Sequence, residues 1–177
     1  LNKEQEKAAK ELAEANQKII DGKIQAFVGE SDLKTSLTEL ETTKKTLESG
    51  MAALQQMYNT AVAAENRLNE LNALLELSDE ELFLTHGMTK EQLLEEIAKE
   101  TLTLTQINVG VLSQASSLSA LGVNISSHKD IPAALQVMGT NLAKINSGIA
   151  QIKEAQTQVN SGKTTLEEAY VALNKSQ

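Results

Sequence analysis

Apolar residues recur at every seventh position through the first half of the chain. Ten consecutive positions in this series are apolar, whereas apolar residues make up 41% of the sequence. Chance would therefore give such a run in roughly one of ten thousand trials per register. A strict period of 3.5 residues per turn predicts a long helix in a left-handed coiled coil. The ten residues are Leu12, Ile19, Ala26, Leu33, Leu40, Leu47, Leu54, Ala61, Leu68 and Leu75.

Small residues occupy many of the partner positions, three residues further on. In the first half these include Ala15, Gly22, Gly29, Ser36, Thr43 and Gly50. In the C-terminal third, Gly148, Ala155, Gly162 and Ala169 follow a second heptad series of Ile145, Ile152, Val159, Leu166 and Leu173. A glycine inside a helix costs about 1 kcal/mol relative to alanine, so close helix packing is the expected compensation. We predict that the two segments pack antiparallel, with large residues of one against small residues of the other.

Two breaks interrupt the heptads. Ser78 and Glu81 are spaced as a capping box, His86-Gly87 is typical of a helix end, and Thr89 with Gln92 offers a second capping box. The apolar series then continues from Ile97 to Ile125.

The second break follows, where Gly122, Asn124 and Ser126-Ser127 indicate a helix end. Asp130 is predicted to cap the last helix, with Pro132 in its first turn. The alternating run 101–105 could also form a short strand.

These signals predict an all-α fold, a long antiparallel coiled-coil helical hairpin with a short helical tip and a break in the returning arm. Its parts are a first arm (1–77), the tip (78–88), a helix of the returning arm (89–122), the break (123–130) and a second arm (131–177). A three-helix bundle remains an alternative if the break reverses the chain. A four-helix bundle would follow if residues 29–32 also did so.

Composition and charge argue against several classes of function. The net charge is −8 and the longest basic run is Lys44-Lys45, which argues against nucleic-acid binding. The chain has no Cys and two His, so neither a thiolate nor a His-rich metal site is expected. We expect no catalytic residue, metal or cofactor, and hence no enzyme. The sequence begins at Leu1 and has no apolar run long enough to span a bilayer, and we take it as a soluble segment of a longer protein.

Several heptads carry a resemblance to known families. The segments Ile145-Asn146-Ser147-Gly148, Val159-Asn160-Ser161-Gly162-Lys163, Ile19-Ile20-Asp21-Gly22-Lys23 and Leu47-Glu48-Ser49-Gly50 resemble extracytoplasmic coiled coils of bacterial membrane proteins. They are similar to those of FtsX-like (MacB-type) ABC transporter permeases of Gram-positive bacteria and of the YhgE/Pip phage infection protein group. The resemblance covers about half of the chain, 12–54 and 142–173. It implies a helical insert between transmembrane helices, on the extracellular face of the cytoplasmic membrane.

The resemblance implies a non-enzymatic stalk, lever or partner-binding module of a transport protein. Its partners would be a protein or transported substrate outside the membrane, the flanking transmembrane helices and, in one arrangement, a second copy in a homodimer. The alternatives are a structural hairpin of a cytoplasmic or phage-related assembly, or the ectodomain of a type VII secretion accessory protein or phage receptor. The candidate partner-binding residues lie at the tip, and filling the turn is the competing role for its apolar side chains. They are Phe83, Leu84, His86 and Met88.

Overall fold

A computed structural model describes residues 2–175, which form helices and connecting turns without a β-strand. The helices are α1 (Lys3–Leu74), α2 (Asp79–His86), α3 (Lys90–Ser113), α4 (Ala115–Ser119) and α5 (Ile131–Lys175), and a single 3₁₀ turn (His128–Asp130) precedes α5. The predicted all-α fold is confirmed. The chain divides into two compact units, one of residues 2–45 with 143–175 and the other of residues 46–142.

Helix α1 runs through Gly29 and Ser31 without interruption, so the reversal that a four-helix bundle required does not occur. The threonines of α1 lie within the continuous helix, and several of their hydroxyls bond the carbonyl one turn earlier. Thr38, for example, donates to the carbonyl of Lys34 at 2.9 Å. Threonines 101, 103 and 105 make the same bond inside α3, so the alternating run there is helix and not strand.

In the first unit, the start of α1 packs antiparallel against the end of α5. A Cβ atom placed on Gly22 would lie 3.1 Å from the Leu166 side chain, and one placed on Gly148 would lie 3.2 Å from Leu40. Each glycine therefore faces a leucine of the other helix. The predicted pairing of large residues with small ones is confirmed at these two glycines, whereas a Cβ atom placed on Gly29 or Gly162 would have nothing within 4 Å.

The second unit holds three segments side by side. Along α1, Leu71 packs with Leu93 near the start of α3, and Met57 lies beside Gly110 near its end. Helix α3 is therefore antiparallel to α1. His128, just before α5, contacts Glu65 of α1, and Met138, ten residues later, lies beside Gly50 of α1. The start of α5 is therefore antiparallel to α1 as well.

Helix α3 and the start of α5 therefore run in the same direction, on either side of the break. A three-helix bundle would require the break to reverse the chain, so that arrangement is excluded within this unit. Helix α3 ends at Ser113, earlier than the Gly122 boundary predicted from sequence. The Ser113 hydroxyl bonds the carbonyl of Gly110 at 2.6 Å, and the amide of Gln114, which would bond that carbonyl in a continuing α-helix, bonds the carbonyl of Val111 instead. Gly122 instead ends α4, with φ 78° and a bond from the amide of Val123 to the carbonyl of Leu118.

Helices α2 and α3 have the predicted caps, although α2 is capped by the Ser78 side chain alone and not by a complete capping box, and the cap before the last helix differs from the prediction. Ser78 caps α2, Gly87 ends it with φ 65°, and Thr89 and Gln92 form a complete capping box at α3. At the last helix the cap is Ser127, and Asp130 is the residue that reaches back to it. A 3₁₀ turn precedes α5, and this turn moves the cap three residues towards the N-terminus.

Candidate functional site

The turn between α1 and α3 is closed by an apolar cluster that only partly involves the residues singled out from sequence. Leu71, Leu82 and Leu93 are fully buried there, and Met88 packs against them. Phe83 and Leu84 instead leave 62% and 74% of their surface exposed. In a helix of eight residues a single face can point inward, and in α2 Leu82 occupies it.

The turn therefore presents an adjacent pair of large apolar side chains, while the filling role belongs to Leu82 and Met88. The expectation that Phe83 and Leu84 fill the turn is wrong. His86 is exposed beside this pair, and its Nδ1 lies 2.8 Å from the hydroxyl of Thr85. This bond is local to α2, and no charged partner of His86 lies within the described part of the chain.

The other histidine, His128, is buried where three segments meet. Its backbone amide donates to Oδ1 of Asn108 on α3 at 2.9 Å, and its Nδ1 lies 3.0 Å from the same oxygen. Its Nε2 contacts Oε1 of Glu65 on α1. We call these three residues the His128 cluster.

Hydrogen-bond chemistry places one proton of the His128 cluster, the one on Nδ1 of His128. An amide N–H is only a donor, so the Asn108 atom that receives it must be the oxygen. Since Nδ1 faces that same oxygen, Nδ1 carries a hydrogen. The remaining contact, between Nε2 and the Glu65 carboxyl, then needs one further proton on either His128 or Glu65. The cluster consequently ties α1, α3 and the 3₁₀ turn before α5 together.

Asp130 secures the next turn of the chain. Its Oδ2 accepts hydrogen bonds from the amide of Ser126 at 2.8 Å, the hydroxyl of Ser126 at 2.9 Å and the amide of Ser127 at 3.2 Å. The bond from the Ser126 amide is the largest of the effects that lower the pKa of Asp130, followed by the Ser126 hydroxyl and the Ser127 amide. The carboxylate is therefore favoured in its charged form and holds the break in place.

The paired ends of the first unit carry ionic contacts across the seam. Lys23 contacts Glu167 at 2.8 Å and lies 4.4 Å from the ring centre of Tyr170. Lys163 contacts Glu30 at 2.7 Å. These pairs are solvent-exposed and each contributes about 0–1 kcal/mol, so they orient the helices more than they stabilise them.

Between residues 2 and 175, no group of three or more His, Asp or Glu side chains is placed to hold a metal ion. The surface depression at the break is open, and it is lined by small and polar residues together with Ile125.

The His128 cluster was not anticipated from sequence. His128 follows two serines, as a loop residue would, and its side-chain partners are 20 and 63 residues away. No local spacing brings such residues together. A weak signal was Glu65 itself, a charged residue directly after the small seam residue Ala64, which is buried.

Comparison with known proteins gives no family: no family model, curated protein or solved structure matches this chain. No helix in the described part of the chain has both the length and the apolar content needed to cross a membrane.

Proposed function

We propose that this chain is a non-enzymatic, extracellular coiled-coil module of a bacterial membrane transport protein of the ABC permease kind. It acts as a stalk or lever that relays movement of flanking membrane helices to a partner outside the membrane, or that binds this partner. The exposed pair Phe83 and Leu84 is the proposed contact, with His86 beside it and Met88 supporting the turn from inside.

The observation that supports this proposal most directly is the pairing of the chain's two ends. Gly22 packs on Leu166 within one compact unit, and α1 and α5 are antiparallel there. The N-terminal end of α1 and the C-terminal end of α5 therefore leave this unit on the same side. An insert between two successive membrane helices requires such an arrangement, because both of its ends must return to the same membrane surface.

The pairing of the ends can be measured with spin labels. The chain has no Cys, so Gln5→Cys and Asn174→Cys give two unique attachment sites. Antiparallel helices in contact place these labels roughly 20–30 Å apart, given the rise of 1.5 Å per residue. A separation of about 70 Å or more would contradict the paired ends and with them the insert.

The location is tested in the full-length protein, expressed in its host after replacement of any other cysteines. Leu84→Cys places an exposed thiol at the turn, and Ala61→Cys places a buried one in the same unit. A membrane-impermeant maleimide should label Leu84→Cys in intact cells and should label Ala61→Cys only after denaturation. If Leu84→Cys reacts only after lysis, the module lies inside the cell and the structural cytoplasmic alternative replaces the proposal.

A further inference from the structure

Helix α3 has a second apolar face in addition to the one that packs on α1. Leu93 and Val111 on the inner face are fully buried, whereas four large aliphatic residues on the other side are between 53% and 62% exposed. At 100° per residue these four, with Ala98 and Thr105, lie within an arc of about 80°. We call these six residues the outer stripe of α3: Leu94, Ala98, Leu102, Thr105, Val109 and Leu112.

The outer stripe has the spacing of a helix-packing face. Its residues follow one another in steps of three or four over about 27 Å of helix. Scattered exposed apolar residues are ordinary, whereas a continuous row at helical spacing has the form of a surface on which a second helix can pack. No segment between residues 2 and 175 covers this row, since its large members are more than half exposed.

We propose that the outer stripe is an interface between two copies of this chain, whose α3 helices pack antiparallel about a two-fold axis near residue 103. Side-chain size supports this occupant. The antiparallel arrangement places Leu94 opposite Leu112, and each of the two smaller residues then meets a larger one. Ala98 lies opposite Val109, and Thr105 lies opposite Leu102. A parallel pair would instead place Ala98 against Ala98 and leave a gap.

Charge supports the same orientation. Every charged residue of α3 lies in its first half, between Lys90 and Glu100, and residues 101–113 carry none. Glu91 and Glu95 border the outer stripe. In a parallel pair each would lie beside its own copy, and like charges at that spacing repel. In the antiparallel pair the acidic half of each helix lies beside the uncharged half of the other. The same carboxylates disfavour an anionic membrane surface as the occupant.

The size of the outer stripe predicts a weak and reversible dimer. A face about 27 Å long on a helix 10–12 Å wide presents about 300 Å². This is less than the ~800 Å² per partner of a stable standard interface, and it places the contact among small, transient ones. Dimerisation should therefore increase steadily with protein concentration, as sedimentation velocity measures.

Cysteine pairs test the orientation directly, because the wild-type chain contains no Cys. A tagged Ala98→Cys protein is mixed with an untagged Val109→Cys protein under mild oxidation. The antiparallel pair joins the two variants, whereas two copies of Ala98→Cys stay about 16 Å apart, beyond the 7 Å limit for a disulfide. Phe27→Cys, at a residue 71% exposed on α1, gives the rate of random collision.

The expected result is a tagged–untagged disulfide well above the Phe27→Cys level, with little Ala98→Cys homodimer. Predominant Ala98→Cys homodimer, or cross-linking no faster than the collision level, would overturn the proposal. A charge variant gives a second readout without cysteine. Leu102→Glu with Val109→Glu should abolish the concentration dependence of sedimentation while circular dichroism stays unchanged, and Phe27→Glu should leave that dependence intact.

Three sedimentation results would contradict the inference. A wild-type chain that sediments as a monomer at all concentrations has no such interface. Dissociation by Phe27→Glu instead of the α3 variant would place the contact on α1. If both variants still associate, the contact lies on neither face. None of these results bears on the labelling of Leu84→Cys in cells, so the proposed function and this inference can fail independently.

Discussion

Gly→Ala substitutions at two positions of α1 can distinguish the effect of close packing on stability from the effect of helix propensity. Gly22 and Gly29 both lie in α1, seven residues apart, in the same compact unit. A Cβ at Gly22 would lie 3.1 and 3.3 Å from the two methyl carbons of Leu166, whereas a Cβ at Gly29 would have nothing within 4 Å. The same Gly→Ala change therefore adds a methyl group to a filled site and to an empty one.

The magnitudes follow from these contacts. Alanine gains about 1 kcal/mol over glycine in a helix interior, and Gly29→Ala should show most of that gain. At Gly22 the added methyl must push Leu166 aside, and overpacking a filled site costs about 1–3 kcal/mol. Gly22→Ala should therefore be neutral to destabilising, and the two variants should differ in unfolding free energy by at least about 1 kcal/mol.

Urea unfolding followed by circular dichroism at the helix band measures both variants, and the thermal midpoints should differ by about 2–4 °C per kcal/mol. Leu166→Ala supplies the control, because it removes the side chain that the new methyl meets. Combined with it, Gly22→Ala should stabilise as Gly29→Ala does in the wild type. If Gly22→Ala alone stabilises as much as Gly29→Ala, the close approach of the two helices at this position is refuted.

Three further predictions concern the second unit. Leu71→Ala should cost about 2–5 kcal/mol in urea unfolding because Leu71 is fully buried, whereas the exposed Leu94→Ala should stay within about 0.5 kcal/mol; equal losses would contradict the described core. His128→Leu should destabilise by about 1–3 kcal/mol, because it removes the imidazole from the partly exposed Glu65 while the backbone amide of residue 128 still donates to Asn108, and His86→Ala should have little effect; similar effects of the two changes would argue against the buried cluster. The lowered pKa of Asp130 means that its stabilisation is complete above the ordinary aspartate value of about 3.9 and is lost as pH falls through the lower folded value. Unfolding curves of wild type and Asp130→Asn should accordingly differ at neutral pH and converge in acid, and a gap that widens in acid would reverse the assigned sign.

The heptad seam could be predicted because its information is local and repeated. The alternation of large residues with glycines indicated antiparallel packing, and the contacts of Gly22 with Leu166 and of Gly148 with Leu40 together confirm it. The caps at Ser78 and Thr89 were equally legible, because a capping box depends on residues three apart.

Features that depend on contacts between distant parts of the sequence could not be predicted in the same way. The exposure of Phe83 and Leu84 depends on which face of α2 meets α1 and α3, and eight residues carry too little periodicity to fix this. The early end of α3 at Ser113 reflects a hydroxyl competing for a backbone carbonyl, while the apolar series continues past it. The role of His128 could not be predicted, because its partners lie on α1 and α3 and come together only in the folded chain.

The break between α3 and α5 has a practical consequence for proteolysis. Its irregular backbone is where a protease would enter most easily. Yet no Lys or Arg occurs between Lys99 and Lys129. Trypsin therefore has no cleavage site along most of this connection, and survival in trypsin would reflect the missing basic residues and not the rigidity of the joint. A protease that cuts after leucine can cleave at Leu121, which is 41% exposed. Its cleavage rate would therefore measure how well ordered this segment is.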